Sequence, residues 1–167
     1  LTIALELYLR DLYTTKASLR HAAFAATSVM TTTGYATENF NTWPSYSRFV
    51  LIFLMFCGGT SGSTAGGIKI IRIAIMVQES IKEVINSIHP HKIYSIRFGN
   101  TAINRDVIKI IHNFTILFIL LYVFGVAVLA TTNLDFETIS SMVIACLANV
   151  GPGLSKVGPV ENYNHLP

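Results

Sequence analysis

Charge is what this sequence has least of. Only 12 Lys and Arg and 9 Asp and Glu occur among 167 residues, or 13%, against about 25% in a soluble domain. With 51% hydrophobic residues and a mean hydropathy of +0.52, that scarcity argues against an ordinary cytosolic enzyme and against disorder. The length suits one domain, but a bilayer can take up the apolar surface in place of a large soluble core. The net charge of +3 and pI near 9.0 rest on too few basic residues to form a nucleic-acid-binding face, so no nucleic acid partner is expected. The two cysteines, Cys57 and Cys146, lie in apolar stretches without zinc-ligand spacing and read as buried thiols. His21, His89, His91, His112 and His165 are scattered, none paired with a carboxylate at ligand spacing, so neither a metal centre nor a covalently bound cofactor is expected. No Ser-His-Asp or Cys-His constellation, catalytic carboxylate pair or dinucleotide fingerprint appears, which leaves an enzyme little to stand on. The chain shows no signal peptide, opens on Leu1 rather than Met, and reads as a piece of a longer protein.

Long hydrophobic runs are scarce too. Residues 114–130 (FTILFILLYVFGVAVLA) form one clean membrane-spanning candidate, free of charge and extended to spanning length by its flanks. The other apolar segments are too short to cross a bilayer alone. Leu1 to Leu9 reads as the tail of a span or an interfacial helix. Residues 21–30 (HAAFAATSVM) predict a helix of half membrane thickness, followed by TTTGY at 31–35. Pro44 suits the first turn of a new helix, which runs through 45–57 into GGTSGSTAGG at 58–67. Five glycines in those ten residues forbid a stable helix, which resumes at 68–86, so 44–86 reads as one long helix broken in the middle. A polar connection with a break at His89, Pro90 and His91 fills 87–112, and Phe136 to Ala148 forms a second short helix ahead of NVGPG at 149–153. Glu79 and Glu83 read as a solvated face, Trp43 and Tyr46 as an interfacial belt.

The pattern of short apolar helix and glycine turn occurs twice. Laying Gly34 on Gly151 aligns the copies at an offset of 117 residues. Internal symmetry of this kind is common in membrane transport proteins. Lys69, Arg72, Lys82, Lys92, Arg97, Arg105 and Lys109 lie between the broken helix and the clean span, whereas Glu6, Asp11, Glu38, Asp135, Glu137 and Glu161 lie elsewhere. The excess of Lys and Arg in cytoplasmic loops then puts 80–112 in the cytoplasm and both glycine turns toward the outside, each short helix re-entering the membrane. Irregular backbone at membrane depth is tolerated only where it lines water or packs in protein. Its use here is ion dehydration: carbonyl oxygens replace the water that a potassium ion sheds. The helix ahead of each turn aims its negative C-terminal end at the ion. Thr31, Thr32 and Thr33 add hydroxyl oxygens or pack the strand from behind.

TTTGY, GGTSGSTAGGIK at 58–69 and NVGPG, in that order and spacing, resemble the Trk/Ktr/HKT family of potassium uptake proteins, in particular the bacterial TrkH-type membrane subunit. The resemblance runs from about residue 20 to the end and is most specific in GGTSGSTAGGIK. It implies an all-α integral membrane fold. Repeats of outer helix, re-entrant pore helix, filter loop and inner helix, four in all, would surround one pore, with the inner helix of the third repeat broken. Residues 1–86 would end one pore repeat, 87–112 form the cytoplasmic connection, and 113–167 start the next. One filter strand would be Thr32, Thr33, Gly34 and Tyr35; another would be Asn149, Val150, Gly151 and Pro152. The transported K+ would be held at Thr32, Thr33, Gly34, Asn149, Val150 and Gly151. An intramembrane gate loop beneath them would contain Gly58, Gly59, Gly62, Ser63, Thr64, Gly66, Gly67 and Lys69. Implied partners are a second copy of the subunit, a cytosolic nucleotide-binding regulatory ring of the TrkA/KtrA type, and membrane lipid; the implied location is the bacterial inner membrane, spanned several times. Ala36 after Tyr35, and Pro152 where an aromatic residue would sit, depart from the two-glycine TVGYG strand of tetrameric potassium channels. With two of four filter strands, residues 1–167 alone are not expected to conduct.

Other readings fit less well. GSTAGGIK falls short of the nucleotide-binding GxxxxGK[ST], because Lys69 is displaced by one residue and Ile70 stands where Ser or Thr belongs. Lys69 reads either as a cation snorkelling to the interface or as a charge at the gate. A sodium- or proton-coupled solute carrier built on broken helices is the alternative function, but it wants an intramembrane acid, and none lies in 45–77 or 114–130.

Overall fold

The most deeply buried helix is also one of the shorter ones. In a computed structural model that describes residues 1–88, 97–98, 101–161 and 164, helix α6 (Phe136–Leu147) buries Thr138, Ile139, Ser140, Ser141, Met142, Val143, Ile144 and Ala145 in succession. The long helix α5 (Arg105–Leu129) does the reverse: Ile116, Leu117, Leu120, Leu121, Val123, Phe124 and Val128 are exposed along it. A soluble protein would hide the apolar helix and expose the hydroxyl-bearing one. Only α5, among the described residues, is long and apolar enough to cross a membrane.

Six α-helices, two three-residue 3-10 turns and four two-residue strands make up the elements of the described residues. After α1 (Thr2–Leu9), α2 (Thr15–Met30) and α3 (Ser45–Phe56) come strands β1 (Cys57–Gly58) and β2 (Ile68–Lys69), then α4 (Ile70–Ile88). Strands β3 (Arg97–Phe98) and β4 (Thr101–Ala102) form an antiparallel pair before α5 and α6. Helices α1, α2, α3 and α6 pack together around Leu7, Val29, Leu51, Met55, Ile144 and Ala148. The apolar run at the start of the chain thus forms a helix, Thr2–Leu9, that packs into this core through the fully buried Leu7. Helix α4 packs on the start of α5 in a second, smaller cluster around Ile75, Ile108 and Ile111.

Several boundaries differ from the sequence reading. Helix α2 begins at Thr15 and α5 at Arg105, inside the segment assigned to the cytoplasmic connection. In both, the first turns are polar and leave no apolar run to read. Asn104 caps α5 by accepting the Asp106 N–H. Trp43 does not lie in an interfacial belt; at 3% exposed it packs edge-on against Phe40. Cys146 is exposed, not buried, because it sits on the outward edge of α6, while Cys57 is half-buried. Glu79 is only partly solvated, since it lies 3.3 Å from His112 across α4 and α5, while Glu83 is exposed. Lys69 does not snorkel outward, as described below. The break at His89, Pro90 and His91, with Lys92 and His165, lies outside the described residues.

Asp135 starts α6 by accepting the Thr138 N–H at 2.9 Å and its hydroxyl at 2.7 Å. Burial alone would raise this carboxyl's pKa, but those hydrogen bonds outweigh burial and hold it below its usual range. A lowered folded pKa stabilises above the unfolded value, about 3.9, and that stability is lost as pH falls through the folded one. Asp135→Ala is expected to cost about 1 kcal/mol at pH 7. Asp135→Asn keeps an acceptor, loses less, and removes the acid-dependent part. Thermal melts of the three proteins at pH 7 and below pH 4 check this; equal acid sensitivity in wild type and Asp135→Asn contradicts it.

Candidate functional site

Both short helices end in the same hydrogen-bonded knot. At the end of α2, Thr31 N donates to Thr27 O at 2.9 Å, Thr32 N to Val29 O at 3.1 Å and Thr33 N to Ser28 O at 2.9 Å. At the end of α6, Ala148 N donates to Ile144 O at 2.9 Å, Asn149 N to Cys146 O at 3.2 Å and Val150 N to Ala145 O at 2.8 Å. Each pair is related by the offset of 117 found in the sequence. The pattern is a Schellman motif, whose left-handed residue is Thr32 (φ +54°) in one copy and Asn149 (φ +56°) in the other. Asn adopts that conformation readily; a β-branched Thr there is an outlier and marks a position with another use. Gly34 (φ +76°) and Gly151 (φ +103°) follow two residues later in both copies.

The two glycine turns meet. A Cβ built on Gly34 would lie 2.2 Å from the Val150 carbonyl oxygen and 3.0 Å from Pro152 Cδ. Thr32, Thr33, Gly34, Val150 and Pro152 are therefore gathered where the negative ends of α2 and α6 converge. Thr33 turns its hydroxyl back to Thr31 at 2.8 Å, behind the turn. Tyr35 behaves differently from its neighbours. Its ring is 74% exposed and its carbonyl accepts the Ser28 hydroxyl at 2.6 Å.

Residues 59–67 loop out between two short strands that pair in parallel, Cys57 with Ile68 and Gly58 with Lys69. The pairing re-closes the chain where helical hydrogen bonds are lost. Within the loop, Gly62 and Thr64 face outward, and Gly59 accepts the Ile70 N–H through its carbonyl at 3.4 Å. The loop touches both turns at Gly66. Gly66 N–H donates to the Thr32 hydroxyl at 3.3 Å, and a Cβ on Gly66 would stand 1.9 Å from the Ala148 carbonyl oxygen. Lys69 folds into the loop: its ammonium donates to Ser63 O at 2.7 Å and to Ala65 O. Arg72, on the first turn of α4, stacks 4.1 Å from the centre of the Phe114 ring.

Three ties on the other side of the turns were not foreseen from sequence. Asn41 clamps the Ser155 peptide twice, Nδ2 donating to Ser155 O and Oδ1 accepting Ser155 N–H, both at 2.8 Å. Arg48 joins Glu137 at 2.9 Å, linking α3 to the first turn of α6. His21, 7% exposed, faces Glu38 at 3.8 Å. The first two pairs lie 114 and 89 residues apart, so local sequence carries no signal for them. Among the described residues no group of His, Cys, Asp or Glu is placed to hold a metal ion.

Two short helices with matched left-handed ends, a loop beneath them and one long exposed apolar helix define a helical protein with an internal repeat, of membrane-transport type. Residues 9–162 match the TrkH family model, described as a cation transport protein. "Trk system potassium uptake protein TrkH" of Halomonas elongata is 34% identical over 98% of this chain and 34% of its own length; that of Escherichia coli K12 is 30% identical over 89% and 30%. The crystal structure of the potassium transporter TrkH from Vibrio parahaemolyticus superposes with a TM-score of 0.84 at 32% identity, over 93% of this chain and 34% of that one. The chain belongs to the TrkH family of cation transport proteins, which are not enzymes, and spans about a third of the length of these relatives.

Proposed function

We propose that residues 1–167 supply two adjoining strands of a cation filter, with its gate loop, in a protein that takes up K+ across the bacterial plasma membrane. The observation that carries this is the meeting of the two glycine turns, with the Val150 carbonyl against Gly34. The strands are Thr32–Tyr35 and Asn149–Pro152, on the re-entrant helices α2 and α6. Carbonyls of Thr32, Thr33, Gly34, Asn149, Val150 and Gly151 take the place of the ion's water. Loop 58–69 closes the path from beneath, because Gly66 occupies the Thr32 hydroxyl at the filter's foot. A second subunit, a cytosolic nucleotide-binding ring and lipid complete the assembly, and the basic residues Lys82, Arg105 and Lys109, among the described part of 80–112, are candidates to meet the ring. K+ moves down its electrochemical gradient.

The test is uptake of K+ into vesicles holding the complete polypeptide that carries this segment. The expected result is K+ entry driven by an inside-negative potential, without need of a co-transported proton or sodium ion. K+ entry no faster than in protein-free vesicles, or entry strictly dependent on a sodium or proton gradient, overturns the reading.

A further inference from the structure

Ser28 holds the first filter strand through both its carbonyl and its hydroxyl. It is 7% exposed, in the last turn of α2. Its carbonyl accepts the Thr33 N–H at 2.9 Å and the Gly34 N–H at 3.5 Å, and its hydroxyl donates to the Tyr35 carbonyl at 2.6 Å. An oxygen 2.6 Å from a hydroxyl buried on α2 is turned toward α2. Gly34 sits on the other side, where Val150 and Pro152 approach. Among the described residues, no ring contact of the exposed Tyr35 is seen to hold that backbone in place. The second repeat has no equivalent: the offset of 117 puts Ala145, fully buried and without a hydroxyl, at the place of Ser28, and Pro152 at that of Tyr35.

The geometry points to Ser28 as a positioning residue that sets ion affinity: it withholds the Tyr35 carbonyl from the ion's path and ends this strand's ladder of oxygens at Gly34. This rests on the filter reading above. The sequence places Tyr35 among the filter residues; the Ser28 bond removes its carbonyl from that set and leaves the outer mouth with fewer oxygens. Without the hydroxyl, the Tyr35 carbonyl loses the partner that turns it toward α2. It turns instead to the water-filled mouth, where a cation supplies the missing partner. The ion then binds more tightly at the mouth and leaves more slowly, since conduction needs sites weak enough to release the ion.

The experiment is concentration-dependent K+ uptake by vesicles holding the complete polypeptide. Ser28→Ala is expected to lower the half-saturating K+ concentration about threefold or more and to lower the maximal rate with it. Ser28→Thr keeps the hydroxyl and restores both values. Ser28→Cys, a weaker donor of similar size, shifts both in the same direction by less, and carries the test if Ser28→Ala does not accumulate. A purely structural role lowers the maximal rate while the half-saturating concentration stays or rises. That result, with Ser28→Thr behaving as wild type, overturns the inference. The two readings fail separately. A wild-type protein that moves no K+ removes the filter itself. A conducting wild type that Gly34→Ala silences, with affinity unmoved by Ser28→Ala, removes only the role of Ser28.

Discussion

Gly34→Ala is expected to cut K+ flux at least about a hundredfold, while Gly151→Ala cuts it about tenfold. Both glycines have positive φ, so any side chain costs about 1–2 kcal/mol of backbone strain at either position. The surroundings differ. Nothing lies within 4 Å of a Cβ on Gly151, whereas one on Gly34 would press on the Val150 carbonyl at 2.2 Å. That oxygen is backbone and has no rotamer in which to retreat. The strands must separate, adding roughly 1–3 kcal/mol of overpacking. At about 1.4 kcal/mol per factor of ten, the sum separates the two variants by about an order of magnitude. Uptake of K+ by the complete polypeptide, normalised to protein in the membrane, is the measurement. If Gly151→Ala proves the more damaging, the close approach of the two turns is not the feature that matters.

Lys69→Met is expected to raise K+ flux through the closed form about tenfold. The Lys69 ammonium holds the loop on itself by donating to the carbonyls of Ser63 and Ala65, two residues that bracket its turn. Hydrogen bonds from a charged donor contribute about 1.5–3 kcal/mol. Methionine keeps the stem and removes the donors, so the loop equilibrium shifts by about one to two factors of ten toward states in which Gly66 leaves Thr32. Arginine does not replace lysine here, because a planar fork cannot converge on two carbonyls as a compact ammonium does. Single-channel or vesicle flux recordings on the complete polypeptide alone give the measurement. Flux and gating identical to wild type would exclude Lys69 from holding the loop.

Much of this site was legible because it is written in local chemistry. Glycine runs cannot stay helical, so the break between α3 and α4 is visible at 58–67. The two helix ends were legible as a repeat because a left-handed turn and a following glycine constrain few residues strongly, and the offset of 117 survives though Thr32 became Asn149. What escaped was whatever depends on a distant partner. Asn41 and Ser155 look like loop residues until the backbone of one meets the amide of the other. Trp43 looks interfacial by type and is core by neighbourhood. Tyr35 sits in a filter motif, yet Ser28 decides where its carbonyl goes. Lys69 reads as an outward cation or as a charge at the gate, because a sequence does not show that carbonyls of its own loop wait for it.

The clasps at Asn41–Ser155 and Arg48–Glu137 tie the two repeats together through side chains of distant elements, whereas among the described residues loop 59–67 is held mainly by its own backbone, by Lys69 and by the Thr32 hydroxyl. Rigidity is therefore distributed unevenly along the ion's route. On the proposed filter reading, the entrance is a fixed frame and the stretch below it a loosely tied flap, so an opening signal is expected from the flap's side.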